Sequence, residues 1–498
     1  MIRRVLFTVL ASLLVAACGR DAPQPAAHNT PYAVGSQTFF IHDETRPYDR
    51  VAGVDHGVRT LITEIWYPVD HAAIEAAGER YRRATYGDYV FGDRDVHRLM
   101  MTETTFFHLT PDTVRDGVTQ ADIDAAIDEL FGRERGSYVD APLADDGRPF
   151  PVVVMTHGDA GSRYNMESAC EYLAAHGYLV IAPEHTGNSP YSMTGHDPAL
   201  AADSGDTDFR KKMSGVLELL DESGVYGARE DYGQSYAPSA AGRDSLQFLK
   251  DLDAALLERL NDLRAALREL ERMNTEGFAG AGPGALELDT IGLMGRSFGG
   301  ATTLVGLALE ERFTSGFSVV PPGWADPRPA LPAEVLEPPG AESVLFAADG
   351  PFPLTWLGKP TLLLHGSEDA LIIGLAAGMA AASGAPAPTA DNPHPLLRSA
   401  FESTDAPVVW AELADSNHAT FGVSGGYWWP ALKPDTQERY FEPGVRFRLA
   451  DTALAHLMQR ELALAFFDLT LRGDAAARDA LLQNPFADSG LRLDARNF

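Results

Sequence analysis

The chain has 498 residues, of which 45% are hydrophobic and 22% charged, and a formal net charge of −30. This composition suits one large decorated catalytic domain or two domains, with a core sizeable enough to need no disulfides. So acidic a chain is repelled by nucleic acid and by anionic lipid surfaces; that argues against nucleic-acid partners and leaves solubility, a salty habitat, or a neutral or cationic substrate.

The N-terminus reads as a targeting segment. Arg3 and Arg4 precede an apolar run, Val5 to Ala17, too short to span a bilayer but right for a signal peptide. The run ends in "VAAC", which resembles the lipobox of bacterial lipoproteins, so Cys18 is the expected lipidation site. Several acyl chains on one cysteine anchor a protein stably. Gly19 carries no aspartate retention signal, which points to an outer-membrane or cell-surface anchor, facing the periplasm if the source has one. The expected organisation is a signal peptide over 1–17, an Ala/Pro-rich tether over 18–34 and a catalytic domain over 35–498. Cys170, the other cysteine, falls in a helical pattern and reads as a small buried apolar residue.

Along the domain, "TLITEIWYPVD" (60–70) alternates like a strand. "PFPVVVMTHG" (149–158) and "GYLVIAPEH" (177–185) are continuous apolar runs typical of strands buried on both faces, with a helix near 164–176 between them. Two insertions break the rhythm, at about 71–148 and 186–285, and are expected to supply a lid over the active site. The second ends in a long amphipathic helix over 245–274. A strand at 288–297 and a helix at 298–311 follow. Further strands read at 315–320, 359–369 and 406–413, and a terminal helix over 449–474 with Gly473 near its end. Strands alternating with helices predict an α/β fold with a mainly parallel central sheet flanked by helices.

Chemistry enters at "GRSFGG" (295–300), which fits G-x-S-x-G with Gly295, Ser297 and Gly299. Ser297 sits where a buried strand ends and an apolar helix begins, the setting of a nucleophile elbow. A serine needs a base, and the base an orienting acid, in the chain order Ser, acid, His. His418, in "ADSNHATFG" just after a strand, is the base. His456 lies in a helical pattern, and His365 and His394 are poor candidates. Asp369, at the end of "LLLHGSED", is the preferred acid, with Glu368 and then Asp326 as alternatives. The backbone N–H groups of Phe298 and Asp159 are the expected oxyanion donors, provided the Asp159 carboxylate points away. In "YWWP" (427–430), Trp428 or Trp429 either walls the substrate pocket or packs the loop.

The segments "WYP" (66–68), "THGDAGSR" (156–163), "YLAAHGYLVIAPEHTGNS" (172–189), "GRSFGG", "LLLHGSED", "NHATF" (417–421) and "LALAFFDLTLRGD" (462–474) together carry a resemblance. In this order they resemble the α/β-hydrolases grouped with plasma-type platelet-activating-factor acetylhydrolases and with bacterial dienelactone-hydrolase-like enzymes. The resemblance implies Ser297 as nucleophile, His418 as base, and Asp159 and Phe298 as oxyanion donors. Arg296 stands where the acetylhydrolases usually show His, and "SVVPPG" offers no carboxylate where they draw their acid. True dienelactone hydrolases use cysteine. The leading expectation is therefore a serine ester hydrolase acting on short-chain acyl or phospholipid-like esters. A polyester-cleaving hydrolase, a peptidase or amidase on the same triad, and an inactive surface-anchored binding protein are the alternatives. No cofactor or metal is expected: there is no H-E-x-x-H and no Walker loop, and "GAGPG" (280–284) reads as a turn.

Overall fold

The structure, a computed structural model, describes residues 30–51, 55, 57–90, 97–98, 114–189, 245–338, 341–422 and 429–498. Strands β1 (Ala33–Asp43) and β2 (Arg59–Val69) open the domain, followed by helix α1 (His71–Ala77), β3 (Arg83–Thr85), α2 (Gln120–Gly132) and β4 (Glu134–Val139). Next come β5 (Phe150–Thr156), α3 (Glu167–Ala175), β6 (Leu179–Pro183), the long α4 (Ser245–Glu276), β7 (Leu286–Arg296), α5 (Phe298–Leu309) and β8 (Phe313–Val319). The C-terminal part supplies β9 (Thr361–Gly366), α6 (Ala370–Ser383), α7 (Pro395–Ser403) and β10 (Val408–Leu413). A small antiparallel pair, β11 (Thr436–Glu438) and β12 (Arg446–Arg448), precedes α8 (Thr452–Leu471), α9 (Ala475–Leu482) and β13 (Leu491–Arg496).

Eleven of these strands form one sheet, in the order β13-β10-β9-β8-β7-β5-β6-β2-β1-β4-β3. The central run from β10 to β6 is parallel throughout, and antiparallel β13 and β2 flank it. Both faces of the centre are covered, which explains the unbroken apolar runs. On β5, Val153 and Met155 enter the cluster shared with α3 and α8, whereas Val152 and Val154 face the one shared with α4.

The N-terminal insertion departs from expectation. Part of it extends the sheet, with β4 pairing parallel to β1 and β3 antiparallel to β4. The pairing occupies the outer edge of β1, a row of backbone groups that an exposed edge strand leaves open. Strand β1 itself begins at Ala33, inside the stretch read as tether, and the Tyr32 N–H already donates to Ala175 O at 3.1 Å. In the second insertion the long helix forms as expected. Its residues 190–244 lie outside the described residues.

Helix α4 is pinned to the N-terminal strands by buried charge. The Asp262 carboxylate accepts from Arg59 at 2.7 Å, from Arg46 at 2.8 Å and from the His185 ring at 3.0 Å. Burial pushes its pKa up, but Arg59 and Arg46 outweigh this and hold it well below the usual carboxylate range. Removing one partner of a buried pair leaves the other charge uncompensated. Asp262→Ala should therefore lower the unfolding free energy by about 3 kcal/mol or more, read from urea denaturation. A loss below about 1 kcal/mol would show that nearby Glu258, 3.0 Å from Arg46, takes over the pairing.

Candidate active site

Ser297 joins β7 to α5 with φ 60° and ψ −123°, a backbone conformation that costs a non-glycine residue strain. Its neighbours must be small. A Cβ on Gly299 would lie 2.1 Å from Thr156 O, and one on Gly295 2.4 Å from Gly299 O. The turn thus lifts the serine side chain clear of its own backbone at the parallel strands' C-terminal edge, where sites in such sheets open.

Three predicted residues meet here. The Ser297 hydroxyl lies 2.9 Å from His418 Nε2, and His418 Nδ1 lies 2.7 Å from Asp369 Oδ2. Asp369 is fully buried at the end of β9, and its second oxygen caps α6 by accepting from Ile372 N–H at 3.0 Å. One carboxylate thus serves both the helix start and the imidazole. His418 stands in a short 3-10 turn whose preceding Asn417 accepts from Thr420 N–H. Burial lowers the His418 pKa, Asp369 opposes that and Arg296 adds to it, so the net shift is downward and the ring is neutral near pH 7.

The competing acids are elsewhere. Glu368 accepts from Arg439 at 2.5 Å and from Tyr440 N–H at 3.1 Å. Asp326 is exposed and paired with Arg328 at 2.7 Å. Among the other histidines, His365 stacks on His394 and Trp410 with ring centroids 4.4 and 4.2 Å away. His456 is buried on α8 and its pKa is lowered to about 3, chiefly by burial.

The loop after β5 lies against the serine: a Cβ on Gly158 would sit 3.2 Å from Ser297 Cβ. Asp159 follows, and its carboxylate accepts from Asn188 Nδ2–H at 2.7 Å, which gives it a partner within the protein. Phe298 is the first residue of α5, so helix geometry gives its N–H no partner within the helix. Trp429 is buried in the larger apolar cluster, and Trp428 lies outside the described residues, as does Cys18. Cys170 is buried in the same cluster as Trp429. A cavity of about 150 Å³ borders α3, β1 and β4, and its lining includes Tyr86, Glu167 and Glu171 but none of the three site residues. Among the described residues no group of three or more His, Cys, Asp and Glu side chains is placed to hold a metal ion.

Two arginines next to the site were given no role by the sequence reading, which noted Arg296 only as a departure from the family pattern and passed over Arg259. Arg296, fully buried, donates to His418 O at 2.5 Å, and burial lowers its pKa to about 10. Arg259 occupies the stripe of α4 that carries buried Leu252, Leu256 and Leu263. Helical spacing alone puts a charge on that apolar face, a signal available in the sequence.

The chain is similar to known proteins in two ways. Over residues 123–214 it matches the family model described as platelet-activating factor acetylhydrolase, isoform II. The match takes in the loop after β5 and stops short of Ser297. It is 26% identical over 183 residues to platelet-activating factor acetylhydrolase from Cavia porcellus, and 26% over 174 residues to that from Canis lupus familiaris. The first alignment covers 36% of each protein and the second 35%, so the chain spans about a third of the length of these relatives. In structure it resembles the ferulic acid esterase from Streptomyces cinnamoneus, with a TM-score of 0.54 and 19% identity, over 95% of this chain and 98% of that one. The chain has the α/β-hydrolase fold.

The turn's tightness is testable. Gly299→Ala should cost about 3 kcal/mol or more of stability through overpacking against Thr156 O. Gly378→Ala, on α6 with nothing within 4 Å of its Cβ, should instead stabilise by roughly 0.5–1 kcal/mol. Thermal melting of the two variants checks both signs.

Proposed function

We propose that the chain hydrolyses carboxylic esters through a serine acyl-enzyme. The observation that carries this reading is the continuous hydrogen-bonded line from Asp369 through His418 to Ser297. In the proposed reaction His418 Nε2 takes the Ser297 proton as Oγ attacks the acyl carbon. Asp369 holds the Nδ1–H tautomer and stabilises the imidazolium that forms. The Asp159 and Phe298 N–H groups receive the developing oxyanion. Collapse expels the alcohol with the proton from His418, and water, activated by the same histidine, releases the acid. The names of the mammalian relatives denote acetyl-ester cleavage by those proteins, which supports short acyl esters, phospholipid-like esters included, as the substrate class here.

The acid is what separates this reading from the acetylhydrolase layout. Ser297→Ala should abolish turnover of p-nitrophenyl esters while leaving the melting temperature near wild type. Asp369→Asn should cost orders of magnitude in kcat, and Asp326→Asn should change little. A crippled Asp326→Asn beside an active Asp369→Asn would assign the acid to the preceding strand.

The pH profile follows from the shift at His418. The base works only when neutral, and its pKa is below the ordinary 6.5. On acidification kcat/KM should therefore hold until the pH falls beneath that value, then drop. An acid limb centred above 6.5 would contradict the assignment.

The export reading belongs to the same proposal. Cys18 is lipidated and tethers the catalytic domain to an outer or surface membrane. Cys18→Ser should leave the protein unprocessed or membrane-free, measured by membrane fractionation and intact mass. A mature N-terminus that discards Cys18 would end that reading.

A further inference from the structure

We infer that Arg259 is a positioning residue that sets the spacing of the two oxyanion donors; the inference rests on the ester-hydrolase reading above. The donors belong to different segments, Asp159 to the loop after β5 and Phe298 to the start of α5. One guanidinium on α4 grips both. Its Nε donates to Thr302 Oγ1 at 2.8 Å, and its Nη groups donate to Asn188 Oδ1 at 2.5 Å, to Thr156 Oγ1 at 3.0 Å and to His157 O. Its Cζ also sits 4.9 Å from the centroid of the Phe298 ring.

Each grip leads to a donor. On the β5 side, holding His157 O fixes the peptide plane that enters Gly158. Gly158 O in turn accepts from Gly161 N–H at 3.1 Å and lies 2.7 Å from His157 Nδ1, while His157 Nε2 accepts from His185 N–H at 2.9 Å. His157 therefore carries its proton on Nδ1 and donates it to Gly158 O. Because a peptide plane sets C=O and N–H on opposite sides, the Asp159 N–H is directed away from those two groups. Asn188, the Arg259 partner, donates to the Asp159 carboxylate. On the α5 side, the Thr302 hydroxyl that accepts from Arg259 donates to Phe298 O at 2.8 Å.

Packing alone does not call for this residue. Arg259 is fully buried, and well-packed apolar residues in place of buried charge are often at least as stable. What a leucine lacks is a rigid planar fork that reaches acceptors on two separate segments. A lysine lacks it too, since its ammonium is a single point.

The test compares an ester with its thionoester, whose sulfur is a weak hydrogen-bond acceptor and draws little from an oxyanion hole. For Arg259→Lys, kcat on the oxoester should fall on the order of 10²-fold, the loss typical of one misplaced donor, with KM within a few-fold of wild type. The thionoester rate should fall far less, so the wild-type preference for oxygen shrinks. Asn188→Ala and Thr302→Val each cut one arm of the brace and should move the same ratio by a smaller factor; they carry the test if Arg259→Lys does not fold. Equal falls on both esters across these variants, or unchanged kcat, would overturn the inference alone. A wild type that turns over neither ester would overturn the hydrolase reading and this inference with it.

Discussion

The turn bearing Ser297 is squeezed between two backbones. Strand β7 runs parallel to β5 with Gly295 opposite Thr156, and α5 starts immediately after, so its first turn presses on the carbonyls that end β5. Gly295 and Gly299 make that approach possible, and the cost is the strained φ of Ser297. The same closeness brings the Gly158 loop against the serine. Under the proposed mechanism, site geometry and fold geometry are one constraint: a side chain that pushes the helix off the strand also separates the two proposed oxyanion donors.

Charge is arranged around this constraint in an unusual way for so acidic a chain. Arg59, Arg135, Arg163, Arg259 and Arg296 rank among its largest fully buried side chains. Each buried guanidinium pairs or braces. Arg163 meets Glu184 at 2.9 Å, Arg135 meets Glu64 at 3.0 Å, and Arg59 meets Asp262. Arg296 and Arg259 instead hold backbone carbonyls, those of His418 and His157. A fork of donors can tie separate segments together where an apolar residue only fills space.

Much of this was legible in the sequence because the signals were local. The central strands announce themselves as apolar runs, and Ser297 by its glycines at a strand–helix boundary. His418 and Asp369 follow from strand ends in the right order. Asp369 also lies at a helix start, where a carboxylate is favoured in its own right. What stayed hidden depends on distant partners. "ERGSYV" of β4 is polar and carries a glycine, so only its pairing with β1 makes it a strand. β13 alternates in charge because it is an edge strand, antiparallel to β10. β1 was partly absorbed into the tether for want of a continuous apolar run. The choice among Asp369, Glu368 and Asp326 needed coordinates, because all three sit after strands and only the fold decides which one faces the histidine. Arg259 broke the apolar stripe of α4 in plain view, but its partners lie at 156–157, 188 and 302, too far along the chain for spacing to connect.

The central claim is that Ser297 is the nucleophile, and a covalent trap tests it most directly. After treatment with a fluorophosphonate, intact mass should rise by one phosphonyl group, and peptide mapping should place that group on Ser297, with loss of labelling when His418 is replaced by Ala. An adduct on another residue, or full ester turnover in protein that takes up no label, would contradict the account.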